Sequence, residues 1–294
     1  MPGIGFAIDR GGTFTDAIAF KGNQVIEVLK VLSEDPANYA DAPTEAIRRV
    51  LEKESGTPIP RGTPVPTDLI SWIRMGTTVA TNALLERKGE RVGLLVTKGF
   101  RDILFIGNQS RPDIFAFNIK IPEVLYEDVI EVDERVLMYD QAKSLFPDDT
   151  RIRTAINGSK VIVEKELDED QLRLCLEKFK QRGISSIAIL FLHSFMYVVF
   201  LNFILSFYLT FSYPNHEKEA GRIVKEYGFQ YVSVSHEVMP MIKAVPRGFT
   251  VTADAYLTPK IMEYLDGFQR GFDGFSNCRI NFMQSDGGLC EMNK

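Results

Sequence analysis

The segment 4–16 constrains the fold most strongly, because an apolar run ends there in Asp9 and leads into a turn with two adjacent glycines. A strand-like run and a second turn follow directly, so the segment predicts a β-hairpin that continues into a third strand at 24–31. A Walker loop differs from this arrangement, because it joins a strand to a helix and carries Lys followed by Ser or Thr. We therefore expect the chain to open with three strands joined by turns.

The same turn carries the groups that a phosphate site needs. Gly11 and Gly12 let backbone N–H groups approach an anion closely, and the hydroxyls of Thr13 and Thr15 add donors. Asp9 supplies the kind of oxygen ligand that Mg²⁺ prefers. An ordinary Gly-Gly hairpin turn also accounts for these residues, so the turn alone leaves both interpretations open.

A second segment with hydroxyls lies farther along the chain. The pattern predicts a strand at 69–75, then Gly76, Thr77 and Thr78, then a helix at 79–88. Free N–H groups at a helix N-terminus favour anions, and the two hydroxyls would lie beside them. A simple threonine cap explains the same residues, since Ser and Thr are common at that position.

The remaining patterns alternate between helix and strand. Amphipathic helices are predicted at 41–54 and 168–180, and continuous apolar runs at 91–97 and 184–192 predict strands buried on both faces. Alternation at 129–137 predicts one further strand. Strands that alternate with helices after an opening hairpin indicate an α/β fold with a mixed sheet.

Composition argues against several classes of function. The net charge of −5 and the pI near 5.4 argue against a nucleic-acid-binding protein, which needs clustered Lys and Arg. Three scattered cysteines without Cys-x-x-Cys spacing indicate neither a disulfide framework nor a zinc site. The N-terminus lacks the pattern of a signal peptide. We therefore expect a cytoplasmic protein with reduced thiols.

An apolar stretch departs from this ordinary composition. The run 183–215 contains no Asp, Glu, Lys or Arg, and its centre at 198–212 is almost wholly apolar. By length it qualifies as a membrane-span candidate, which needs ~17–25 residues. Asn202 and neighbouring polar residues interrupt the run, and a span here would divide a globular domain, so we expect no membrane anchor. An apolar patch of this size would instead bind something or aggregate.

Ordered motifs along the chain resemble the hydantoinase/oxoprolinase family. The motifs are DRGGTFTD at 9–16, MGTTVATNALLER at 75–87, TKGFRD at 97–102, GNQSRPD at 107–113, VPRGFT at 245–250 and ADAYLTP at 253–259. The family pattern passes directly from a His-Ser-x-x-Tyr segment to Pro-x-His-Glu, and here residues 198–212 separate the two halves. We interpret those residues as an insertion whose composition suggests a translated intron.

The resemblance implies an actin-like ATPase fold of the ribonuclease H type, with ATP and Mg²⁺ held between two lobes. Asp9 is then expected to hold Mg²⁺ and, with Thr13, to take part in catalysis. The residues expected to contact ATP are Asp9, Gly11, Gly12, Thr13, Thr15, Thr77 and Thr78. The residues expected to contact the substrate are Asn108, Arg111, Arg247 and Asp286, although structural ion pairs and an Asp-Gly-Gly turn fit the same residues.

The resemblance also implies the domain organisation. Residues 1–197 are expected to form the N-terminal lobe, with the insertion at 198–212. Residues 213–294 are expected to complete the lobe and begin the hydantoinase A region. The sequence contains neither a second phosphate loop nor an adenosine-binding segment, so we expect a fragment with little activity of its own.

Family members hydrolyse the lactam of 5-oxo-L-proline to L-glutamate and convert ATP to ADP and phosphate. The expected partners are therefore a small-molecule substrate, ATP and Mg²⁺, with no nucleic acid and no membrane, and full-length members are expected to be homo-oligomers. The alternatives are a hydantoinase-type lactamase, a small-molecule kinase of the same fold, an inactive nucleotide-binding module and, least favoured, a membrane-anchored protein.

Overall fold

The computed structural model of the chain describes residues 3–108, 115, 117–118, 123–146, 150–155, 158–195, 213–275 and 278–292. The chain divides into two compact units. Unit 1 comprises residues 1–88 and 260–294, and unit 2 comprises residues 89–259. The apolar stretch at 198–212, interpreted above as an insertion, lies outside the described residues.

Strands and helices alternate along most of the chain. The strands are β1 (Ile4–Arg10), β2 (Phe14–Lys21), β3 (Gln24–Leu32), β4 (Ile70–Thr77), β5 (Val92–Thr97), β6 (Asp128–Val132), β7 (Arg135–Met138), β8 (Ile152–Thr154), β9 (Lys160–Lys165), β10 (Ser186–Leu190), β11 (Tyr231–Val234), β12 (Arg279–Met283) and β13 (Leu289–Glu291). The helices are α1 (Ala42–Ser55), α2 (Val79–Leu85), α3 (Ile103–Ile106), α4 (Tyr139–Ala142), α5 (Glu169–Gln181), α6 (Asn215–Glu226), α7 (Ser235–Val238) and α8 (Ala244–Arg270). None of the helices in the described residues has the length and apolar character needed to cross a membrane.

Unit 1 is built on a six-stranded mixed sheet with the strand order β13-β12-β4-β1-β2-β3. The antiparallel strands β1, β2 and β3 confirm the opening predicted from the sequence. Strands β1, β4 and β12 run parallel to one another, so their carboxyl ends meet at one edge of the sheet. The turn that follows Asp9 lies at this edge.

Helix α1 packs against this sheet and confirms the amphipathic helix predicted at 41–54. The Asp41 carboxylate accepts a hydrogen bond from the Thr44 N–H over 2.9 Å, which fixes the start of the helix. Gly56 ends the helix with a φ of 68°, a left-handed conformation that glycine adopts without strain. The apolar face of α1 includes Ile47 and Leu51, which are fully buried in the core of unit 1.

Unit 2 contains a four-stranded parallel sheet with the order β11-β10-β5-β6 and a three-stranded antiparallel sheet with the order β7-β9-β8. Every residue of β5 and β10 is buried, as the continuous apolar runs predicted. Helices α5 and α6 supply the apolar side chains that complete this core. The mixed α/β fold expected from the sequence is therefore present.

Two predicted elements are corrected by the structure. The single strand expected at 129–137 is two strands, β6 and β7, which belong to different sheets. The break falls at Glu134, whose N–H donates to the Val132 carbonyl oxygen over 2.9 Å in a tight turn and is therefore not available to a strand ladder. Its buried carboxylate bonds to the Thr97 hydroxyl and to His216. The helix expected at 79–88 ends at Leu85, and Arg87 adopts a positive φ of 55°.

Helix α8 was not predicted. It runs without interruption through Pro259, and its residues divide between unit 2, up to Pro259, and unit 1, from Lys260 onward.

Candidate functional site

The turn between β1 and β2 presents an exposed tip in unit 1. The Gly11 N–H donates to the Phe14 carbonyl oxygen over 3.0 Å and closes the turn. Gly12 and Thr13 are exposed, and their N–H groups have no acceptor in the part of the chain that the structure describes. Two adjacent N–H groups that face solvent form a concavity suited to an anion.

Ser33, which directly follows β3, stabilises this turn through two hydrogen bonds. Its hydroxyl donates to the Gly11 carbonyl oxygen over 2.7 Å, and its N–H donates to the Thr13 carbonyl oxygen over 2.9 Å. Thr15 is fully buried, and its hydroxyl lies 3.0 Å from the Ser33 hydroxyl. Thr15 therefore shapes the turn and does not present its hydroxyl at the surface, where direct contact with ATP was expected.

Asp9 is exposed beside the turn and lies directly across the strand pair from Asp16. Lys30 forms an ion pair with Asp16 over 2.7 Å and neutralises that carboxylate. Two acidic side chains that face each other across a sheet repel, and a cation between them relieves the repulsion. The sequence analysis did not single out Asp16, because only the strand register brings it opposite Asp9.

The segment between β4 and α2 lies next to the same turn. The Thr78 N–H donates to the Arg10 carbonyl oxygen over 3.1 Å, and the Asn82 amide donates to the exposed Thr78 hydroxyl over 3.2 Å. A Cβ atom at Gly12 would lie 2.9 Å from the Asn82 amide nitrogen, so Asn82 touches the turn itself. Asn82 is therefore a further site residue, and no spacing rule in the sequence indicated it.

Thr77 has a structural partner. Its hydroxyl accepts a hydrogen bond from the Val79 N–H over 3.3 Å at the start of α2. Thr77 therefore supports the start of α2, whereas Thr78 occupies the N-cap position without a side-chain cap bond and directs its hydroxyl toward the Arg10 carbonyl oxygen.

Asp286 lies in the turn between β12 and β13, at the same edge of the sheet of unit 1. Its carboxylate accepts a hydrogen bond from the Gly288 N–H over 2.8 Å, and Gly287 has a φ of 84°. This geometry is that of an Asp-Gly-Gly turn that its own carboxylate stabilises.

The other residues expected to contact the substrate belong to unit 2 or lie outside the description. Asn108 is exposed after α3, whereas Arg111 is not among the described residues. Arg247 is fully buried, and its guanidinium donates to the carbonyl oxygens of Phe191 and Met241. Burial lowers the pKa of Arg247. Arg247 therefore acts inside unit 2 and does not face solvent.

Arg247 adjoins a buried polar network centred on Glu217. One Glu217 oxygen accepts from the Phe191 N–H over 2.7 Å and from the Ser194 hydroxyl, and the other lies 2.7 Å from His236 Nδ1. The network ties the end of β10 to α6 and to the start of α7. Both Glu217 oxygens are satisfied in this way, whereas His236 Nε2 and Arg247 Nε are buried without a hydrogen-bond partner among the described residues.

His216, which is also buried in unit 2, contacts two carboxylates. Its ring nitrogens lie 2.7 Å from a Glu134 oxygen and 3.2 Å from a Glu166 oxygen. Burial disfavours the charged ring, but the hydrogen bonds and charges of the two carboxylates outweigh it and raise the pKa of His216. These contacts hold His216 between β-strand and helix elements of unit 2 and give it a structural role.

Donor chemistry at the β1–β2 turn fits a phosphate with a divalent cation. Gly12 and Thr13 supply N–H groups, and Asp9 supplies a carboxylate. Within the described ranges, no group of three or more His, Cys, Asp or Glu side chains forms a metal site. A magnesium ion beside Asp9 would thus take its other ligands from phosphate and water, as Mg²⁺ commonly does.

The chain belongs to the hydantoinase/oxoprolinase family, since the hydantoinase/oxoprolinase N-terminal region matches residues 5–199. A second region of the same family, described as hydantoinase/oxoprolinase, matches residues 247–294. Among curated relatives, 5-oxoprolinase 1 of Arabidopsis thaliana is 49% identical over 286 residues, which cover 97% of this chain and 21% of that protein. The 5-oxoprolinase of Dictyostelium discoideum is 47% identical and is covered to 22%. The chain thus spans about a fifth of the length of these relatives.

Two solved structures share the fold. The ATP-dependent caprolactamase from Pseudomonas jessenii matches with a TM-score of 0.65 at 24% identity, and the match covers 97% of this chain and 36% of the caprolactamase chain. The nucleotide-free acetone carboxylase matches with a TM-score of 0.65 at 18% identity and covers 100% of this chain and 38% of that one. At these identities, the likeness extends to the fold alone.

Proposed function

We propose that this chain forms the phosphate-binding part of an ATP-dependent 5-oxoprolinase, which hydrolyses 5-oxo-L-proline to L-glutamate. The names of the curated relatives support the reaction, and the geometry of unit 1 supports the role of this part of the chain. The observation that carries the proposal is the pair of N–H groups at Gly12 and Thr13, which have no acceptor among the described residues and lie beside the exposed carboxylate of Asp9.

The reaction explains why such a turn is needed. An amide carbonyl is a poor electrophile, and ATP supplies a phosphoryl group that makes its oxygen a leaving group. Catalysis of phosphoryl transfer is mainly positioning and neutralisation of charge. In our proposal, Gly12 and Thr13 hold phosphate oxygens through N–H groups, Asp9 orients Mg²⁺, and the Thr78 hydroxyl borders the phosphates.

Three other residues have supporting roles in the proposal. Thr15 and Ser33 hold the turn in shape, and Asn82 holds the Thr78 hydroxyl toward it. For the substrate, Asn108 and Arg111 remain our proposed contacts.

Further features of the whole enzyme belong to the same proposal. The three cysteines, Cys175, Cys278 and Cys290, are free thiols, which supports a cytoplasmic location. We also propose a homo-oligomer for the full-length enzyme. In this proposal the chain by itself does not turn over 5-oxo-L-proline.

Amide NMR of the chain during titration with ATP and Mg²⁺ tests the proposal. We expect the largest shift changes at Gly12, Thr13 and Asn82, because these residues line the turn. The absence of changes there at ATP concentrations up to about 10 mM, ten times the dissociation constant of a weak 1 mM complex, would contradict it.

A further inference from the structure

A cavity of about 550 Å³ lies within unit 1. It is bounded by the start of α1, by the loop at 61–65 and by the last turns of α8. Its size falls within the range of ~300–1,000 Å³ that is typical of small-molecule sites. No residue that we assign to phosphate binding lines it.

Arg10 supplies the unsatisfied polar group of this cavity. Its side chain lies on the opposite face of β1 from Asp9, because successive residues of a strand alternate between the two faces. The Cζ atom of the guanidinium lies over the Tyr264 ring, 4.9 Å from its centre, which is a cation–π contact. The Nε–H is buried and has no acceptor among the described residues, which is costly for a charged donor.

The acidic side chains around the cavity are already engaged. Glu45 forms ion pairs with Arg48 and Arg61, and the Asp41 carboxylate accepts from both the N–H and the hydroxyl of Thr44. The Glu263 Oε2 atom lies 3.4 Å from Lys260 Nζ. None of these carboxylates comes within ion-pair distance of Arg10.

A second guanidinium, that of Arg270, also lines the cavity. It has no ion-pair or hydrogen-bond partner within the described part of the chain. Four arginines, Arg10, Arg48, Arg61 and Arg270, and three carboxylates, Asp41, Glu45 and Glu263, line the cavity, so one positive charge is in excess. Arg270 is exposed to solvent, so the buried Nε–H of Arg10 is the group that an anionic ligand would satisfy.

Part of the remaining wall is apolar, although Asn38, Thr44 and Thr63 also line the cavity. Val65 and Phe268 are buried at 1% and 0% exposure and form the floor. Gly267 also lines the cavity, and a Cβ atom built on it meets no atom within 4 Å. The helix therefore has open space in front of this glycine.

We propose that this cavity binds a small organic carboxylate with an apolar body, held by the guanidinium of Arg10. A carboxylate matches the fork of donors on a guanidinium, and the ring of Tyr264 holds that guanidinium in place. The apolar floor then receives the body of the ligand. This site goes beyond the proposed function, because it neither includes nor requires the phosphate-binding turn.

Ligand-observed NMR with three probes tests the proposal on the intact chain. We expect benzoate to bind, and we expect benzamide, its neutral counterpart of the same shape, to bind at least tenfold more weakly. Phenyl phosphate tests the class of anion, and tighter binding of it than of benzoate would overturn the assignment to carboxylates. Equal binding of benzoate and benzamide would overturn the role of charge.

Variants then locate the site. Arg10→Gln removes the charge and is expected to weaken benzoate binding at least tenfold. Arg279→Gln, a change at an exposed arginine of β12 in the same unit, is the matched control and is expected to leave binding unchanged. Unchanged affinity in Arg10→Gln would overturn the proposal.

A second variant, Gly267→Leu, is expected to fold normally, so that a loss of benzoate binding in it cannot be attributed to unfolding. The added side chain enters open space, and leucine favours a helix more than glycine does, so the Tm is expected to stay the same or rise. Benzoate binding is expected to be lost because the cavity is filled. A Gly267→Leu variant that folds and binds benzoate as before would overturn the location. Asp9→Asn is expected to leave benzoate binding unchanged, which separates this site from the proposed phosphate site.

Discussion

The backbone N–H of Tyr213 donates a hydrogen bond to the carbonyl oxygen of His193 over 3.0 Å. The Ser194 hydroxyl also donates to the carboxylate of Glu217. These two bonds join the end of the β10 segment to the start of α6, on either side of residues 196–212. The two segments therefore meet through their own contacts.

Because of this contact, we expect the apolar stretch at 198–212 to be dispensable for folding of unit 2. Deletion of residues 198–212 leaves residues 194–197 between His193 and Tyr213, which suffice for a turn closed by the observed bond. We expect the shortened chain to keep or raise its Tm and to self-associate less, because an apolar run is removed. Calorimetry measures the Tm, and sedimentation velocity measures self-association.

A substitution in the shortened chain serves as its control. Ser194→Ala removes one of the two closing bonds and is expected to lower the Tm of the shortened chain. A shortened chain that is insoluble or unfolded would show that residues 198–212 are an integral part of the unit.

Stability of unit 1 in acid depends on Glu45. Burial favours its neutral form, but hydrogen bonds from Arg48, Arg49 and Arg61 outweigh this and lower the pKa of Glu45 from 4.5 to about 2. A depressed pKa stabilises the fold above the unfolded value, so this contribution is present above pH 4.5 and is lost as the pH falls toward 2.

Replacement of Glu45 tests this dependence. Glu45→Gln leaves Arg48 without its buried partner, and we expect a loss of about 2–3 kcal/mol in the free energy of unfolding at pH 7. Urea titrations at pH 7 and pH 3 should show a smaller difference between variant and wild type at the lower pH. Glu54→Gln, at an exposed ion pair with Lys21, is the control and should cost less than about 1 kcal/mol. Equal losses of unfolding free energy in Glu45→Gln and Glu54→Gln would contradict a special contribution of Glu45 to stability.

Unit 2 should respond to pH in the opposite direction through His216. Glu134 and Glu166 raise the pKa of its ring above the ordinary value of 6.5. A raised pKa stabilises the fold below pH 6.5, and this contribution is lost as the pH rises through the folded pKa. The Tm of the wild type relative to His216→Gln should therefore fall between pH 6 and pH 9, as thermal melts can measure. A constant or rising difference would exclude a charged His216.

The substitution Gly12→Ala tests the role of the turn in ATP binding without a large loss of stability. A Cβ atom at this position meets only the flexible amide end of Asn82, so Gly12→Ala should cost less than about 1 kcal/mol. The displaced Asn82 loses its bond to Thr78, and we expect weaker ATP binding. In the double variant Gly12→Ala, Asn82→Ala the clash is absent, so the two effects should not be additive. Additive losses in a binding titration would contradict a direct contact.

The local elements of the fold were predictable from the sequence. The opening strands and the helix at 41–54 depend on residues close together in the chain, and the structure confirms them. Elements that depend on distant partners were not predictable. The break at Glu134 requires Thr97 and His216, and α8 was hidden by Pro246 and Pro259, which are usual signs of interrupted helices.

The residues of the candidate site were likewise predictable only where they are close together in the chain. The turn at 9–16 was recognisable, because its glycines, hydroxyls and carboxylate are consecutive. The support from Ser33, the pairing of Asp16 and the approach of Asn82 arise from strand register and from a separate segment. Burial of Arg247 was likewise invisible, since a sequence shows the charge of an arginine but not its surroundings.

The magnesium dependence of ATP binding tests the central claim most directly. Calorimetric titration with ATP should be run with and without Mg²⁺ on the wild type, on Asp9→Asn and on the control Asp68→Asn, an exposed residue outside the site. We expect Mg²⁺ to strengthen ATP binding at least tenfold in the wild type and in Asp68→Asn, and to have no effect in Asp9→Asn. If Asp9→Asn responds to Mg²⁺ as the wild type does, the turn after Asp9 is not the metal-phosphate site.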